Sequence, residues 1–210
     1  MDKKILAPGI HMYTNVFDDS KKIINDIESL FSNRYALGGV YEGDEKSNYS
    51  INKNTRNVDV FSMSDQQFLS YSEEQKNLYL RIKDPMIKCL FNYKEDYGID
   101  QIIDDCWMVL RYGKDQKFDN HADDGPRYPR LVSMTAYLND DYEGGELEYK
   151  NFGLSFKPEP GSVLIFPSNY VYQHRVIPVT SGLRYAVVNW FRWSTIPKDT
   201  HIGDFSGVKY

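Results

Sequence analysis

Four histidines occur in this chain, at positions 11, 121, 174 and 201, so each imidazole can be weighed individually. His121 and Asp123 stand one residue apart in DNHADDGP, and in an extended segment that spacing sends both side chains to the same face. His174 opens the run HRVIPV, 53 residues further on. Two imidazoles and one carboxylate on a β scaffold form the facial set that holds non-haem Fe(II) and leaves coordination positions open for chemistry. A lone His-x-Asp also serves as an aspartate orienting a surface histidine, and Asp124 takes the place of Asp123 if the local strand slips by one residue. Ten residues after His174 comes Arg184, inside the otherwise apolar LRYAVVNW. An arginine on an inward face is costly unless a carboxylate answers it, and its planar fork suits bidentate recognition of one. The answering carboxylate belongs either to a structural ion pair or, given the nearby His-x-Asp and distal His, to a dicarboxylic co-substrate. His11 and His201 lie near the ends of the sequence and are expected to be solvated, without a role.

These residues need a scaffold, and hydrophobic patterning supplies its outline. In DDSKKIINDIESLF (18–31), Ile23, Ile24, Ile27, Leu30 and Phe31 share a helical stripe, with Asp18 or Asp19 placed to cap the first turn. Residues 37–56 are rich in Gly, Asn, Ser and charge and read as a mobile loop, ahead of a short strand carrying Val58, Val60 and Phe61. Residues 72–93 have helical periodicity behind a Ser-Glu-Glu cap, with Pro85 set to kink the helix or split it. After Asp105 the character changes to short β-branched and aromatic runs: 107–112, 132–138, 145–149, 154–158, 162–167, 174–179 and 183–193, broken by Gly, Pro, Asn and Asp. Helices followed by such strands predict an α+β fold, an antiparallel sandwich or barrel buttressed by helices. Nothing in the pattern divides the chain, so 1–210 is expected to be one domain: a helical support region at 1–104, a core at 105–193 and a tail at 194–210.

Composition bounds the function classes. The 210 residues are 41% hydrophobic and 26% charged, enough to bury a core. Twenty-five Lys and Arg against 30 Asp and Glu give a net charge of -5, the wrong sign for affinity built on phosphate neutralisation. Nucleic acid is therefore not an expected partner. Cys89 and Cys106 are not at metal-ligand spacing and read as buried free thiols, pointing to a reducing, cytoplasmic compartment. No leader or membrane span is expected.

Over residues 105–193 the sequence resembles the Fe(II)- and 2-oxoglutarate-dependent dioxygenases, and within them the prolyl hydroxylases. The resemblance rests on LRYG (110–113), HAD (121–123), RLVSMTAYLND (130–140), GGELEY (144–149), PGSVLIFP (160–167), and His174 with Arg184 and Trp190. An Arg seven residues before the Tyr of YLN, a Gly pair beginning seven after it, and the Trp of VNWF make it far more specific than the triad alone. It implies a double-stranded β-helix core of jelly-roll, cupin-like form, buttressed by the N-terminal helices. It also implies that His121, Asp123 and His174 ligate iron, and that Arg184 holds the distal carboxylate of 2-oxoglutarate. Tyr137 would help bind that carboxylate and Tyr112 would line the same pocket, though both also read as core tyrosines. Trp190 would wall the site near the oxidised residue, or simply pack, and Arg130 would contact substrate backbone at the mouth.

The implied cofactors are Fe(II) and 2-oxoglutarate, with ascorbate as an accessory reductant. The implied reaction hydroxylates a prolyl residue in a peptide or protein and releases succinate and carbon dioxide. The ten-residue His174 to Arg184 spacing resembles the collagen-type branch, whereas Arg in an RYAV context resembles the oxygen-sensing branch, which leaves the substrate open. The loop at 37–56 reads either as a lid or peptide-binding finger or as a solvated loop. The alternatives are an oxygenase acting on a free amino acid or other small molecule, and a catalytically silent β-barrel binding module. Retention of His121, Asp123, His174 and Arg184 argues against the last.

Overall fold

The computed structural model describes residues 1–41, 49–63, 65–100, 102–125 and 129–194. Its principal strands are β1 (Asp2–Ala7), β2 (Ile10–Thr14), β3 (Asp59–Met63), β4 (Ile102–Tyr112), β5 (Lys117–His121), β6 (Val132–Tyr137), β7 (Leu147–Tyr149), β8 (Leu154–Phe156), β9 (Ser162–Pro167), β10 (His174–Val176), β11 (Val179–Ser181) and β12 (Arg184–Trp193). The helices α1 (Ser20–Phe31) and α2 (Glu73–Tyr97) lie between β2 and β4 in the sequence.

Two sheets carry the architecture. The larger runs β1-β2-β9-β6-β12-β4-β3 and ends on the short strand Ala36–Leu37; the smaller runs β8-β7-β10-β5 and ends on Arg56–Asn57. All their pairings are antiparallel. The larger sheet is covered on both faces, which explains why β6 and β12 read as near-continuous apolar runs. In β12, Tyr185, Val187 and Phe191 pack with α1 and α2, while Ala186, Val188 and Trp190 pack with residues of the smaller sheet. This is side-chain alternation at period two, with each parity committed to a different layer.

Ile23, Ile27 and Phe31 are the buried stripe of α1, each worth roughly 1.5–3 kcal/mol of burial. Asp19 occupies the N-cap position but makes no side-chain cap bond. Its carboxylate meets the Arg81 Nε of α2 at 3.3 Å instead, so it joins two helices. Ser72 caps α2 through a reciprocal bond pair with Gln75, and Gly98 closes it at a φ of 61°. The helix continues through Pro85. The missing N–H forgoes one bond to the Arg81 carbonyl, at about 3 kcal/mol in an isolated helix, but Leu78, Ile82, Met86, Cys89, Leu90 and Tyr93 bury both halves against the larger sheet.

Residues 1–104 thus supply strands as well as helices, because β1, β2 and β3 lengthen the larger sheet at its two sides. His11, expected in solvent, is 1% exposed in β2, since that strand pairs with β9 beneath α2. Within the expected loop, Val40–Tyr41 and Tyr49–Ser50 pair as a hairpin, and its tip at 42–48 lies outside the described residues, as do His201 and the tail from 195 onward. Cys89 is buried, Cys106 half-buried, and both are free thiols. No helix among the described residues is long and apolar enough to cross a membrane.

Candidate active site

The candidate site lies between the two sheets, and strand register assembles it. His121 ends β5 and His174 begins β10, and the two are direct partners across that ladder. Asp123 follows β5 by two residues. One ligand atom from each of His121, Asp123 and His174 lies within 4.8 Å of the others. Asp123 Oδ1 is 3.6 Å from His121 Nε2, and its Oδ2 is 3.9 Å from His174 Nε2. Asp124 is exposed, so the alternative carboxylate does not join the group.

Both imidazoles are oriented alike. His121 Nδ1 donates to the Asp119 carbonyl at 2.8 Å and His174 Nδ1 to the Tyr172 carbonyl at 3.1 Å. With Nδ1 as the N–H, each Nε2 keeps its lone pair facing Asp123, as metal ligation requires. Burial, together with the neighbouring His121, lowers the His174 pKa to about 4, which keeps the ring neutral at physiological pH. Burial alone would raise the Asp123 carboxyl. Any proton that the two imidazoles carry, together with the Ser133 hydroxyl, overrides it and holds the group well below the usual carboxylate range. Ser133 Oγ donates to Asp123 Oδ2 at 2.6 Å and meets Ser168 Oγ at 2.8 Å.

Arg184 heads β12, opposite Tyr112 of β4. Its guanidinium carbon lies 5.0 Å from the Tyr112 ring centroid and 5.3 Å from that of Tyr137. The side chain is 2% exposed, its Nε has no hydrogen-bond partner, and among the described residues no carboxylate forms an ion pair with it. The structural ion pair that would make this arginine ordinary is therefore absent among them. Gly145 explains half of the Gly pair in GGELEY: its φ is 67°, and a Cβ there would come within 3.1 Å of Arg184 Cδ.

One pocket is bounded by the triad, Arg184, Tyr112, Tyr137 and Trp190 together. The structure therefore gathers all of these predicted residues. Arg130 stands at the edge, stacked over the Trp190 ring at 3.8 Å, bonded to Asp105 and in reach of the Asp123 carbonyl. Sequence reading missed four further contributors. Tyr149 is fully buried on the pocket wall with an unpartnered hydroxyl. Ser133 shares the parity of Tyr137 on β6, a signal that would have found it. Arg56 and Phe118 also bound the pocket, and nothing local distinguishes Arg56 from a surface arginine.

Two facing sheets with a His-Asp-His cluster beside a buried arginine that no described carboxylate answers define a jelly-roll-like fold with a site suited to a divalent metal and an anionic co-substrate. Residues 107–192 match the model of the 2OG-Fe(II) oxygenase superfamily, and over that segment the chain is similar to proteins of this family. A PKHD-type hydroxylase of Crocosphaera subtropica is 38% identical over 89 residues, covering 38% of this chain and 39% of that protein. A putative prolyl 4-hydroxylase of Acanthamoeba polyphaga mimivirus is 26% identical over 153 residues, covering 61% and 63%. The match thus spans about two fifths of the PKHD-type relatives' length. In fold, the chain is similar to a viral collagen prolyl hydroxylase from Paramecium Bursaria Chlorella virus-1 (TM-score 0.63, 19% identity, 88% and 96% covered). It is also similar to a Trichoplax adhaerens prolyl hydroxylase solved with a hypoxia inducible factor peptide (TM-score 0.68, 20% identity, 87% and 83% covered).

Proposed function

We propose that the protein is an Fe(II)- and 2-oxoglutarate-dependent dioxygenase that hydroxylates prolyl residues in a peptide or protein. The observation that carries this reading is the buried Arg184 that no carboxylate among the described residues answers, in one pocket with the His121, Asp123 and His174 cluster. A pocket with a metal-ligand set at one part and an unanswered cation at another fits a chelating dicarboxylate.

His121 Nε2, Asp123 and His174 Nε2 would hold the iron. Bound there with 2-oxoglutarate, it supplies dioxygen activation, in which the co-substrate goes to succinate and carbon dioxide and a substrate C–H becomes C–OH. The chain's residues do the rest. Arg184 binds the distal carboxylate, in surroundings where the tyrosine rings of Tyr112 and Tyr137 exclude water and strengthen the charge-assisted bond. The Asp119 and Tyr172 carbonyls hold both histidine Nδ1 protons, so no ring rotation is needed for ligation. Ser133 holds the Asp123 carboxylate. Trp190, stiffened by Arg130 over its ring, would wall the side where the target residue enters, and Arg130 would meet substrate backbone. Prolyl hydroxylase relatives support the peptide substrate. Ascorbate is the expected accessory reductant.

The test is an anaerobic titration of the apo-protein with Fe(II) and 2-oxoglutarate, followed by aerobic succinate assays. A visible charge-transfer band in the titration, together with peptide-stimulated succinate and a mass gain of one oxygen on proline, is the expected result. Stimulation by free amino acids alone would favour a small-molecule oxygenase. Folded, metal-loaded protein without the band would overturn the oxygenase reading.

A further inference from the structure

Arg56 reaches the metal site from the N-terminal half of the chain. It pairs with Phe118 across the free edge of β5, and the Asp119 N–H donates to the Thr55 carbonyl at 2.8 Å to hold that pairing. The Arg56 guanidinium carbon lies 4.9 Å from the Phe118 ring centroid. The same ring also lies against the His121 imidazole, with centroids 3.6 Å apart and planes 15° from parallel. Backbone holds the guanidinium in place. Its Nη1 donates to the Gly39 carbonyl at 2.9 Å, and Gly38 leaves the space that a Cβ would otherwise fill 3.0 Å from Nε.

The two histidines differ in what fixes them. His174 is packed deep between Tyr149 and Phe166, with centroids at 5.3 and 4.9 Å. The His121 side chain is 19% exposed, and a single Nδ1 bond still lets an imidazole tilt about that bond. A flat aromatic partner removes the tilt, and a cation against that aromatic holds it in turn.

We infer that Arg56 is a positioning residue for His121, acting through Phe118, and that it ties the Gly38–Gly39 backbone to the metal site. The inference rests on the reading of His121 as a metal ligand. Because the guanidinium is bonded to Gly39 and stacked on Phe118, displacement of this segment is transmitted to the His121 ring plane.

Co(II) titration tests this without turnover, using wild type, Arg56→Lys, Arg56→Met, Phe118→Leu and the Arg56→Met/Phe118→Leu double variant, with the apo-protein melting temperature recorded for each. Outer contacts to ligands typically change metal affinity by about 10–100-fold. The expected result is that Arg56→Met and Phe118→Leu each weaken Co(II) binding by about tenfold and alter its ligand-field absorption. Arg56→Lys should recover part of both. Adding Arg56→Met to Phe118→Leu should change neither further, because the route is already cut. Wild-type affinity and spectrum in Arg56→Met would overturn the inference, as would a full additional loss in the double variant. If Phe118→Leu does not fold, the comparison of Arg56→Met with Arg56→Lys still decides. Folded wild type that binds no Co(II) would overturn the metal-site reading and this inference together.

Discussion

His121 and His174 stand directly opposite each other across the β5–β10 ladder, with ring centroids 4.4 Å apart, and each donates Nδ1–H to the carbonyl two residues before it. A cross-strand pair has fixed Cβ separation, so register sets where the two rings are attached, and the Nδ1 bonds then turn both Nε2 atoms towards Asp123. The third member, Asp123, is not on the ladder and depends on a different device, the Ser133 hydroxyl.

Ser133→Ala therefore tests that device. Divalent-metal affinity should fall about tenfold, read by Fe(II) or Co(II) titration. The apo-protein should lose about 1.5–3 kcal/mol, the range for a hydrogen bond to a charged group, with the contact to Ser168 lost as well, read by denaturant melts.

Arg184→Met should separate binding from stability. Removing a buried cation that no described carboxylate answers should leave apo-protein stability unchanged or raised, since no carboxylate among the described residues is orphaned by the change. Affinity for 2-oxoglutarate should fall at least tenfold, as one or more charge-assisted bonds of about 1.5–3 kcal/mol are lost. Calorimetric titration of the metal-loaded protein and a thermal melt give the two readouts.

Tyr149→Phe removes a hydroxyl that is fully buried and unpartnered on the pocket wall. A free buried hydroxyl costs about 1–3 kcal/mol, so the variant should melt at a higher temperature than wild type. Weaker 2-oxoglutarate binding in the same variant would identify the ligand as the partner of that hydroxyl.

His11 gives a pH dependence of stability. Burial lowers its pKa despite the opposing pull of Asp96 at 3.4 Å, with Lys3 adding to the lowering. The unfolded state takes up a proton near the ordinary value of 6.5 that the folded state resists, so stability falls as pH drops below about 6.5. The loss in melting temperature between pH 7.5 and 5 should be smaller in His11→Gln than in wild type.

Local chemistry fixed much of this protein in advance. The alternation that puts Arg184 and Trp190 on one face of β12 is a property of the strand itself, legible from their even spacing. The Ile23–Ile27–Phe31 stripe of α1 is legible for the same reason at the helical period. His-x-Asp with a distal His named the candidate ligands by type. The family motifs in residues 105–193 then gave the jelly-roll core and its pocket residues.

Other features were decided only when strands paired. Whether Arg184 meets an internal carboxylate depends on every side chain that folding brings near it, and no window of sequence contains them. His11 reads as a terminal, solvated histidine until β2 joins β9 and α2 covers it. Pro85 signals a break in isolation, but burial of both halves of α2 outweighs the single lost bond. Arg56 lies 65 residues before His121 and carries no local signal of a role. Period and residue type are local, whereas register and layer packing are long-range. The sequence therefore determined which groups point inward, and the tertiary structure decided which of them meet.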